Sequence, residues 1–410
     1  MRRVVITGLG AISPIGNNVE ENWKSIKEGK CGIDYISHFD TSNIKVKVAG
    51  EVKGIDFQDY FEQKDARRSD RFNLLGRLAA REAVLDSKLD MDKIDHDRFG
   101  VIFASGIGGM KTFAENEDIA KEKGPSRVSP FFIPTTLINL CAGQIAIEHK
   151  AYGYCTSVVT ACASGTNAIG DAFHRIKFGM EDIIIAGGSE ASVCELGIAG
   201  FQVMKALYTG DNPNRASIPF DSERSGFVMG EGGAALILEE LEHAKARGAH
   251  IYAEVVGYGC SCDAHHITAP LETGVGAAKA INNAIKDANI SKDDIDYINA
   301  HGTSTHLNDL TETNAVKLVF GNDTKVMMSS TKGNTGHLLG AAGAIEAIYT
   351  AKALEDSFVP PTINYECKDE ECNLDIVPNV GRNIDIKYAM SNSLGFGGHN
   401  ASIILKKWSE

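Results

Sequence analysis

The chain has 410 residues, and its content of 43% hydrophobic and 23% charged residues is typical of an ordinary globular protein. A formal net charge of −13 argues against general nucleic-acid binding, and no apolar run approaches the roughly 20 residues of a membrane-spanning helix. The nine cysteines are odd in number and scattered, which does not suggest a disulfide framework, so we expect the protein to work in the reducing cytoplasm.

The first part of the chain alternates short apolar runs with helical patterns. An apolar run starts at residue 4 in VVITGLG, so a buried strand is expected almost at the N-terminus, with no targeting peptide before it. Further strands are predicted over 99–104, 182–186 and 234–238, and a helix over 74–85. This alternation favours an α/β fold with buried sheets.

One long region departs from the alternation. Residues 107–150 lack a clear pattern and contain Pro125, Pro130 and Pro134. We interpret them as an insertion that lines an entrance or a subunit contact. No low-complexity tract or linker interrupts the rest of the chain.

The second part of the chain repeats the order of the first. A strand over 253–256, a helical run and the strand in IDYINAHG are followed by a strand over 326–329 that leads into STKGNTGHLLGAAGAIE. Strands over 387–391 and 401–405 close the repeat. We therefore predict a duplicated fold with a pseudo-twofold axis, made of halves 1–250 and 251–410, with equivalent loops facing each other across the axis.

The segment VVTACASGTNAIGDAFHRIKFG, residues 158–179, carries the first candidate for chemistry. A β-prone run over 158–160 meets a small-residue elbow, and Ile169, Phe173 and Ile176 then follow a helical spacing. Cys162 is thus expected where a strand hands over to a helix. Helix N-termini lower a thiol pKa and favour the nucleophilic thiolate. The alternative is a buried structural cysteine, which is what most cysteines are.

Three loops of the second half could supply partners for Cys162. His301 ends a predicted strand, Lys332 and His337 lie in the elbow TKGNTGH, and the glycine-rich loop GFGG contains Phe396. Taken singly, each has a structural explanation: a histidine at a strand end is usually just hydrogen-bonded. Together, on equivalent ends of a duplicated fold, they predict an acyl-transfer site whose oxyanion is bound by backbone N–H groups.

Five motifs, in order, closely resemble those of the β-ketoacyl-acyl-carrier-protein synthases of the thiolase superfamily: TACASGTNAIG, PFDSERSGFVMGEGG, INAHGTST, STKGNTGHLLGAAGAIE and NSLGFGGHN. The resemblance covers essentially the whole chain. It implies a thiolase-like duplicated α/β fold with five layers, αβαβα, and two mixed sheets. Ile107 and the segment from Gly200 to Pro213 resemble the type II enzymes of bacterial fatty-acid elongation.

The resemblance implies a decarboxylative Claisen condensation. Cys162 would carry the acyl chain, His301 and His337 would stabilise the enolate formed from malonyl-carrier protein, and the N–H groups of Cys162 and Phe396 would form the oxyanion hole. Lys332 and Glu346 would form an electrostatic pair. Thr303 and Thr305 would contact the pantetheine arm, and Ile107 and Phe201 would line the acyl pocket.

The resemblance also implies partners. Acyl- and malonyl-loaded carrier protein would dock on basic positions at the tunnel mouth, namely Lys64, Arg67, Arg68, Arg127 and Lys205, although a solvated helix face would explain the first three equally well. A homodimer is expected, with edge strands after Thr156 pairing across a twofold axis. No metal, nucleotide or redox cofactor is implied. Some members of the family hold a structural monovalent cation near the helix of Glu346, and the sequence leaves open whether this chain does.

The sequence bears on four other functions. A non-catalytic chain-length partner would lack the nucleophile, whereas Cys162 is present. A polyketide ketosynthase remains open, although a chain without fused domains favours fatty-acid synthesis. A thiolase proper would have a second cysteine in the C-terminal loop, and GFGGHN has none. A cysteine hydrolase is the generic rival if the resemblance is set aside.

Overall fold

The structure, a computed structural model, describes residues 1–409. The β-strands within that range are β1 Val4–Ile12, β2 Asp34–Tyr35, β3 Val48–Ala49, β4 Phe99–Ala104, β5 Cys155–Thr156, β6 Ile183–Glu190, β7 Gly232–Glu240, β8 Ala253–Cys262, β9 Tyr297–Asn299, β10 Met327–Ser329, β11 Phe358–Val359, β12 Arg382–Asn383, β13 Tyr388–Gly395 and β14 His399–Lys407. The α-helices are α1 Val19–Lys27, α2 Gln63–Ala66, α3 Arg71–Ser87, α4 Met110–Lys123, α5 Phe132–Thr136, α6 Asn139–His149, α7 Ser164–Lys177, α8 Glu195–Val203, α9 Leu241–Ala246, α10 Val275–Ala288, α11 His306–Phe320, α12 Lys332–Thr335 and α13 Ala342–Asp356.

Ten strands form one hydrogen-bonded mixed sheet in the order β10-β9-β13-β14-β8-β1-β7-β6-β4-β5. Strands β1 and β8 join its two halves through three antiparallel residue pairs, 4–6 with 253–255. On either side of this junction the strands follow the same order. From the outer edge inward the order is β5-β4-β6-β7-β1 in the first half and β10-β9-β13-β14-β8 in the second. The two expected sheets are therefore the two five-stranded halves of a single sheet.

The expected five layers are present. Helices α7 and α13 pack on each other and contact strands of both halves, so they form the central layer. Helices α3 and α6 cover the outer face of the first half, and α10 and α11 that of the second. The alternation of side chains in β6 illustrates the layering, because Ile183 and Ile185 join the outer core while Ile184 and Ala186 join the central one.

The region 107–150 is more regular than its sequence indicates, because it contains α4, α5 and α6. Its prolines lie where helices tolerate them: Pro125 begins a 3₁₀ turn and Pro134 is in the first turn of α5, where the missing N–H has no helical partner to lose. The weak hydrophobic pattern arises because most residues of α4 stay partly or fully exposed.

Within residues 1–409, no helix combines the length and apolar character needed to cross a lipid bilayer.

Candidate active site

Cys162 lies in a sharp elbow directly before α7, as the sequence predicts, but the strand before it is displaced. Strand β5 ends at Thr156, and the β-prone run over 158–160 is not a strand. The elbow uses that backbone instead: Ser164 Oγ accepts the N–H of Thr160 at 2.8 Å and donates to the carbonyl of Ala161 at 2.6 Å. Ala161 adopts a left-handed conformation, with φ of 51°, which is unfavourable for a residue with a Cβ.

The turn between β13 and β14 lies against this elbow. A Cβ on Gly395 would come within 2.7 Å of the carbonyl oxygen of Thr160, so only glycine permits this approach. The turn directs the backbone N–H of Phe396 at the sulfur of Cys162, and the N–H of Cys162 itself lies close to the same atom. These two N–H groups are those predicted for an oxyanion hole.

The two predicted histidines converge on Cys162. The sulfur and one ring nitrogen of each of His301 and His337 all lie within 4.8 Å of one another, and the two rings meet edge to face at 5.1 Å. Both rings are almost fully buried. Burial, and then the positive charge of Lys332, hold the pKa values of both histidines well below their usual range, so the rings are neutral at neutral pH.

Lys332 stands behind the histidines as a buried cation. Its Nζ lies 3.5 Å from Nδ1 of His301 and forms an ion pair with Glu346 on α13. Because the ammonium is only a donor, Nδ1 of His301 must accept and the ring proton is at Nε2. The sulfur of Cys162 and the two ring nitrogens are close enough together to bind a metal ion. The neighbouring ammonium of Lys332, however, disfavours a cation there.

The protonation of Cys162 corrects the expectation drawn from the helix N-terminus. Cys162 is half-buried at the end of the cavity, and protein atoms surround most of its sulfur; this burial raises the pKa of the Cys162 thiol to about 12. The charge of Lys332 and the N–H groups of Phe396 and Cys162 act in the opposite direction but do not prevail. The resting nucleophile is therefore a thiol, and the helix start alone does not produce a thiolate.

A cavity of about 390 Å³ connects these groups to the surface. Thr303 and Thr305 line it, and their hydroxyls hydrogen-bond to each other at 2.9 Å. Phe201 also lines it and faces the ring of Phe396 at 6.2 Å. Ile107 does not border this cavity but belongs to the apolar cluster that surrounds Cys162 and Phe201. Three of the four predicted pantetheine and acyl-pocket residues thus line the cavity, and Ile107 alone lies outside its lining.

Two carboxylates at the site were not predicted from the sequence. Glu312 on α11 accepts the backbone N–H groups of His301 and Gly302 at 2.9 and 2.8 Å, and so fixes the first histidine loop. Burial raises the pKa of Glu312 to about 7. The second is Glu190, the last residue of β6. The signal for Glu312 was its position eleven residues after His301, on the face of α11 turned toward that loop.

The neighbourhood of Glu346 has the chemistry of an alkali-cation site. Burial raises the pKa of Glu346 to about 7, against the opposing charge of Lys332. Its second oxygen, both polar atoms of the Asn299 amide and the Ser391 hydroxyl are buried without a hydrogen-bond partner within residues 1–409. Asn299 and Ser391 are paired residues of neighbouring strands. Such oxygen donors fit the monovalent cation that the resemblance leaves open.

The five predicted docking residues are all exposed. Lys205 borders the cavity, whereas the other four do not line it. Lys64 is in α2, Arg67 and Arg68 follow it, and Arg127 is in the insertion. The guanidinium of Arg68 stacks 4.1 Å over the ring of Phe131, a residue of the same insertion.

The nearby arginines of α3 have a different environment. Arg71 and Arg77 are paired with carboxylates, Arg71 with Glu231 and Arg77 with Asp65 and Glu148. None of the five docking candidates forms an ion pair with a residue in the range 1–409. Their charges are therefore available to an acidic partner.

Comparison with known proteins places the chain in a family. Residues 1–244 match the model "Beta-ketoacyl synthase, N-terminal domain" and residues 252–366 the model "Beta-ketoacyl synthase, C-terminal domain". A Staphylococcus aureus (strain COL) protein named 3-oxoacyl-[acyl-carrier-protein] synthase 2 is 51% identical over 408 residues, 99% of each chain. The chain belongs to the beta-ketoacyl synthase family.

Solved structures agree with this assignment. The ishigamide ketosynthase/chain length factor is 36% identical, with a TM-score of 0.94 and full coverage of both chains. A second structure, "AntDE:AntF (apo): type II PKS acyl-carrier protein in complex with its ketosynthase bound to the hexaketide", is 38% identical with a TM-score of 0.92. The match covers 99% of this chain and 100% of the chain in that structure. The thiolase-like fold expected from the sequence is confirmed.

The depressed histidine pKa values can be measured directly. Burial also lowers the pKa of His149, so its signal is set aside in a proton–nitrogen NMR titration of the twelve histidines. The rings of His301 and His337 should stay neutral at pH 6.5, where an ordinary histidine is half protonated. The variants His301→Ala and His337→Ala should each remove one of these two signals. If both rings gain a proton near pH 6.5, the account of their burial is wrong.

Proposed function

We propose that the protein catalyses the decarboxylative Claisen condensation of an acyl group on Cys162 with malonyl-acyl-carrier protein. The product is 3-oxoacyl-acyl-carrier protein longer by two carbons, as in fatty-acid elongation. The observation that carries the proposal is the convergence of one thiol, two neutral histidines and two backbone N–H groups at the end of a cavity. The full-length identity of 51% to a named 3-oxoacyl-[acyl-carrier-protein] synthase 2 supports it.

In the first step the sulfur of Cys162 attacks the acyl thioester. The bond from Cys162 to the acyl carbon forms, the bond to the pantetheine sulfur breaks, and the thiol proton leaves with that sulfur. Because the thiol is protonated at rest, the proton must move as the bond forms, and the neutral ring of His337 is able to relay it. The N–H groups of Cys162 and Phe396 bind the oxyanion meanwhile.

In the second step malonyl-carrier protein loses carbon dioxide, and the enolate carbon attacks the acyl carbon. The bond from that carbon to the sulfur of Cys162 breaks, and the sulfur leaves as a thiolate that takes up one proton from solvent and so returns to the resting thiol. Neutral His301 and His337 donate ring N–H groups to the enolate oxygen, with the Lys332 cation behind them. Thr303 and Thr305 hold the pantetheine arm, while Ile107 and Phe201 border the acyl chain. Glu346 balances the charge of Lys332. Its second oxygen, with the side-chain oxygens of Asn299 and Ser391, would hold a monovalent cation that adds positive charge there.

The work is divided between the halves 1–250 and 251–410. The first supplies the nucleophile, and the second supplies the histidines, the lysine and the oxyanion turn. The identical strand order on both sides of the β1–β8 junction supports this division.

We propose a homodimer, formed by the edge of the sheet. Strand β5 is the last strand on the first half's side and has one neighbour, β4. Exposed apolar side chains flank it, including Tyr152 and Val159 near the strand and Ile133 and Leu137 in the insertion. An uncovered edge strand beside apolar residues favours pairing with a second copy.

The carrier protein would dock on Lys64, Arg67, Arg68, Arg127 and Lys205. Positive charges on an otherwise acidic chain would steer an acidic partner toward the cavity. Catalysis in the cytoplasm is part of the proposal, since all nine cysteines are free thiols and suit a reducing compartment.

A polyketide ketosynthase is the second candidate, favoured by the structural likeness to the AntDE:AntF ketosynthase. The two candidates share the chemistry and differ in how many malonyl units one chain receives.

Replacing Cys162 separates the two steps. The variant Cys162→Ala should lower condensation by about 1,000-fold or more, because no acyl group can be held. The variant Cys162→Gln should still release carbon dioxide from malonyl-carrier protein, since the amide resembles an acylated cysteine and leaves both histidines in place. Radiolabelled carbon dioxide measures the latter. Condensation by the alanine variant, or absence of decarboxylation in the glutamine variant, would refute the assigned roles.

Charge reversal tests the docking surface. In the double variant Arg67→Glu/Arg68→Glu, kcat/KM for acyl-carrier protein should fall about tenfold or more, while that for a short pantetheine thioester should change less than about twofold. The double variant Lys279→Glu/Lys286→Glu, which makes the same charge change on exposed positions of α10, is the control and should affect neither. An equal loss on both substrates would place these arginines outside the docking surface.

A further inference from the structure

Glu190 is a buried carboxylate for which the proposed steps give no role. It ends strand β6 and is fully inaccessible to solvent. Its Oε2 accepts the N–H groups of Gly106 at 2.7 Å and Gly340 at 3.1 Å. Its Oε1 is approached by the Ser105 hydroxyl at 3.0 Å, the Ser192 hydroxyl at 3.2 Å, and the N–H groups of Ile107 and Gly108 at 3.3 and 3.4 Å.

These donors belong to segments that border the site from opposite halves. Gly106 and Ile107 follow β4, and Ile107 is part of the apolar cluster around Cys162. Gly340 follows His337 by three residues, in the turn that leads into α13. The two backbones touch directly: a Cβ on Gly340 would come within 2.1 Å of the amide nitrogen of Gly106. One carboxylate oxygen is shared between them.

We propose that Glu190 is a positioning residue for the condensation, which fixes the acyl-pocket wall at Ile107 against the turn that carries His337 beside Cys162. The inference rests on the proposed function for the meaning of the acyl pocket. Because a single oxygen accepts one N–H from each half, any movement of the pocket wall relative to the histidine turn must break one of these two bonds.

The charge of Glu190 also reaches the nucleophile. The charged or titratable groups that face Cys162 are Lys332, His301 and His337 from the second half and Glu190 from the first. Burial is the main cause of the raised pKa of Cys162, and the negative charge of Glu190 raises it further, against Lys332. The donors around Glu190 favour its ionised form, although burial raises its own pKa.

Two substitutions separate position from charge. In Glu190→Gln, the amide oxygen can still accept from Gly106 and Gly340 while the NH₂ group faces the two serine hydroxyls, which are able to accept. The N–H of Ile107 then loses its acceptor, the N–H of Gly108 keeps the Ser105 hydroxyl at 3.1 Å, and the charge is gone. Glu190→Asp keeps the charge but shortens the reach to Gly106 and Gly340. The control Glu254→Gln makes the same chemical change at a buried glutamate paired with Arg3, near the start of β1.

The first readout is alkylation of Cys162 by iodoacetamide as a function of pH, followed by mass spectrometry of the peptide that contains it. We expect Glu190→Gln to react about threefold faster than wild type at a fixed pH below the thiol pKa, which corresponds to a shift of about half a pH unit. Glu190→Asp and Glu254→Gln should follow the wild-type profile. If Glu190 only stabilises the fold and does not influence the site, Glu190→Gln will show the wild-type alkylation profile.

The second readout is the ratio of kcat/KM for a long over a short acyl-carrier protein. Glu190→Asp should change this ratio by about threefold or more, because its shorter side chain no longer bridges Gly106 and Gly340 and the Ile107 wall is released. Glu190→Gln, which keeps both of these bonds, and Glu254→Gln should change it less. A third readout needs no variant: amide hydrogens in wild-type peptides covering 105–108 and 338–341 should exchange slowly with deuterium. Fast exchange of both peptides overturns the proposal even if both variants fail to fold.

The inference is overturned if both Glu190 variants match wild type in alkylation profile and acyl-chain ratio. If wild type itself performs no condensation, the proposed function fails, yet the alkylation profile and amide exchange still test whether Glu190 organises the site. The two failures are therefore distinguishable.

Discussion

The buried ion pair between Lys332 and Glu346 is the interaction on which the site depends. Both side chains are almost completely removed from solvent, at 1% and 2% exposure. Removing one partner of such a pair leaves an uncompensated buried charge and costs about 3–5 kcal/mol, so neither charge is retained without the other. The ammonium is thereby fixed next to His301. There it adds to burial, the main cause, in holding the pKa values of both histidines low, and it draws the thiol pKa of Cys162 downward.

The duplicated fold explains why this pair can lie next to the nucleophile. The central helices α7 and α13 are equivalent in the two halves, and each begins after a tight elbow. The first elbow presents Cys162 and the second presents Lys332 and His337. Since the two helices pack on each other, the two elbows meet at one end of the central layer. The nucleophile of the first half thus lies next to the charged and polar side chains of the second half.

Much of this was predictable from the sequence, because the repeat and the elbow have local signals. The strand over 99–104 and the helical run after the strand over 253–256, which is α10 in the structure, follow directly from hydrophobic period. The motifs around Cys162, His301 and His337 predict that they converge. Quantities that depend on burial could not be predicted. The helix start before Ser164 predicts a lowered thiol pKa, but the enclosure of the sulfur, which raises the pKa to about 12, is a property of tertiary packing. The role of Glu190 was likewise hidden, because its sequence GGSEA indicates only the end of a strand, whereas its donors come from residues 84 positions before and 150 positions after it.

The central claim is that Cys162 carries the growing chain covalently between two steps. The most direct measurement is to incubate the protein with acyl-carrier protein, digest it, and locate the acyl group by mass spectrometry before and after malonyl-carrier protein is added. The account predicts an acyl thioester on the peptide containing Cys162, which disappears as one carbon dioxide and one 3-oxoacyl-carrier protein, longer by two carbons, are formed per chain. An acyl group on another residue, or a product formed without any acyl-enzyme, would contradict it.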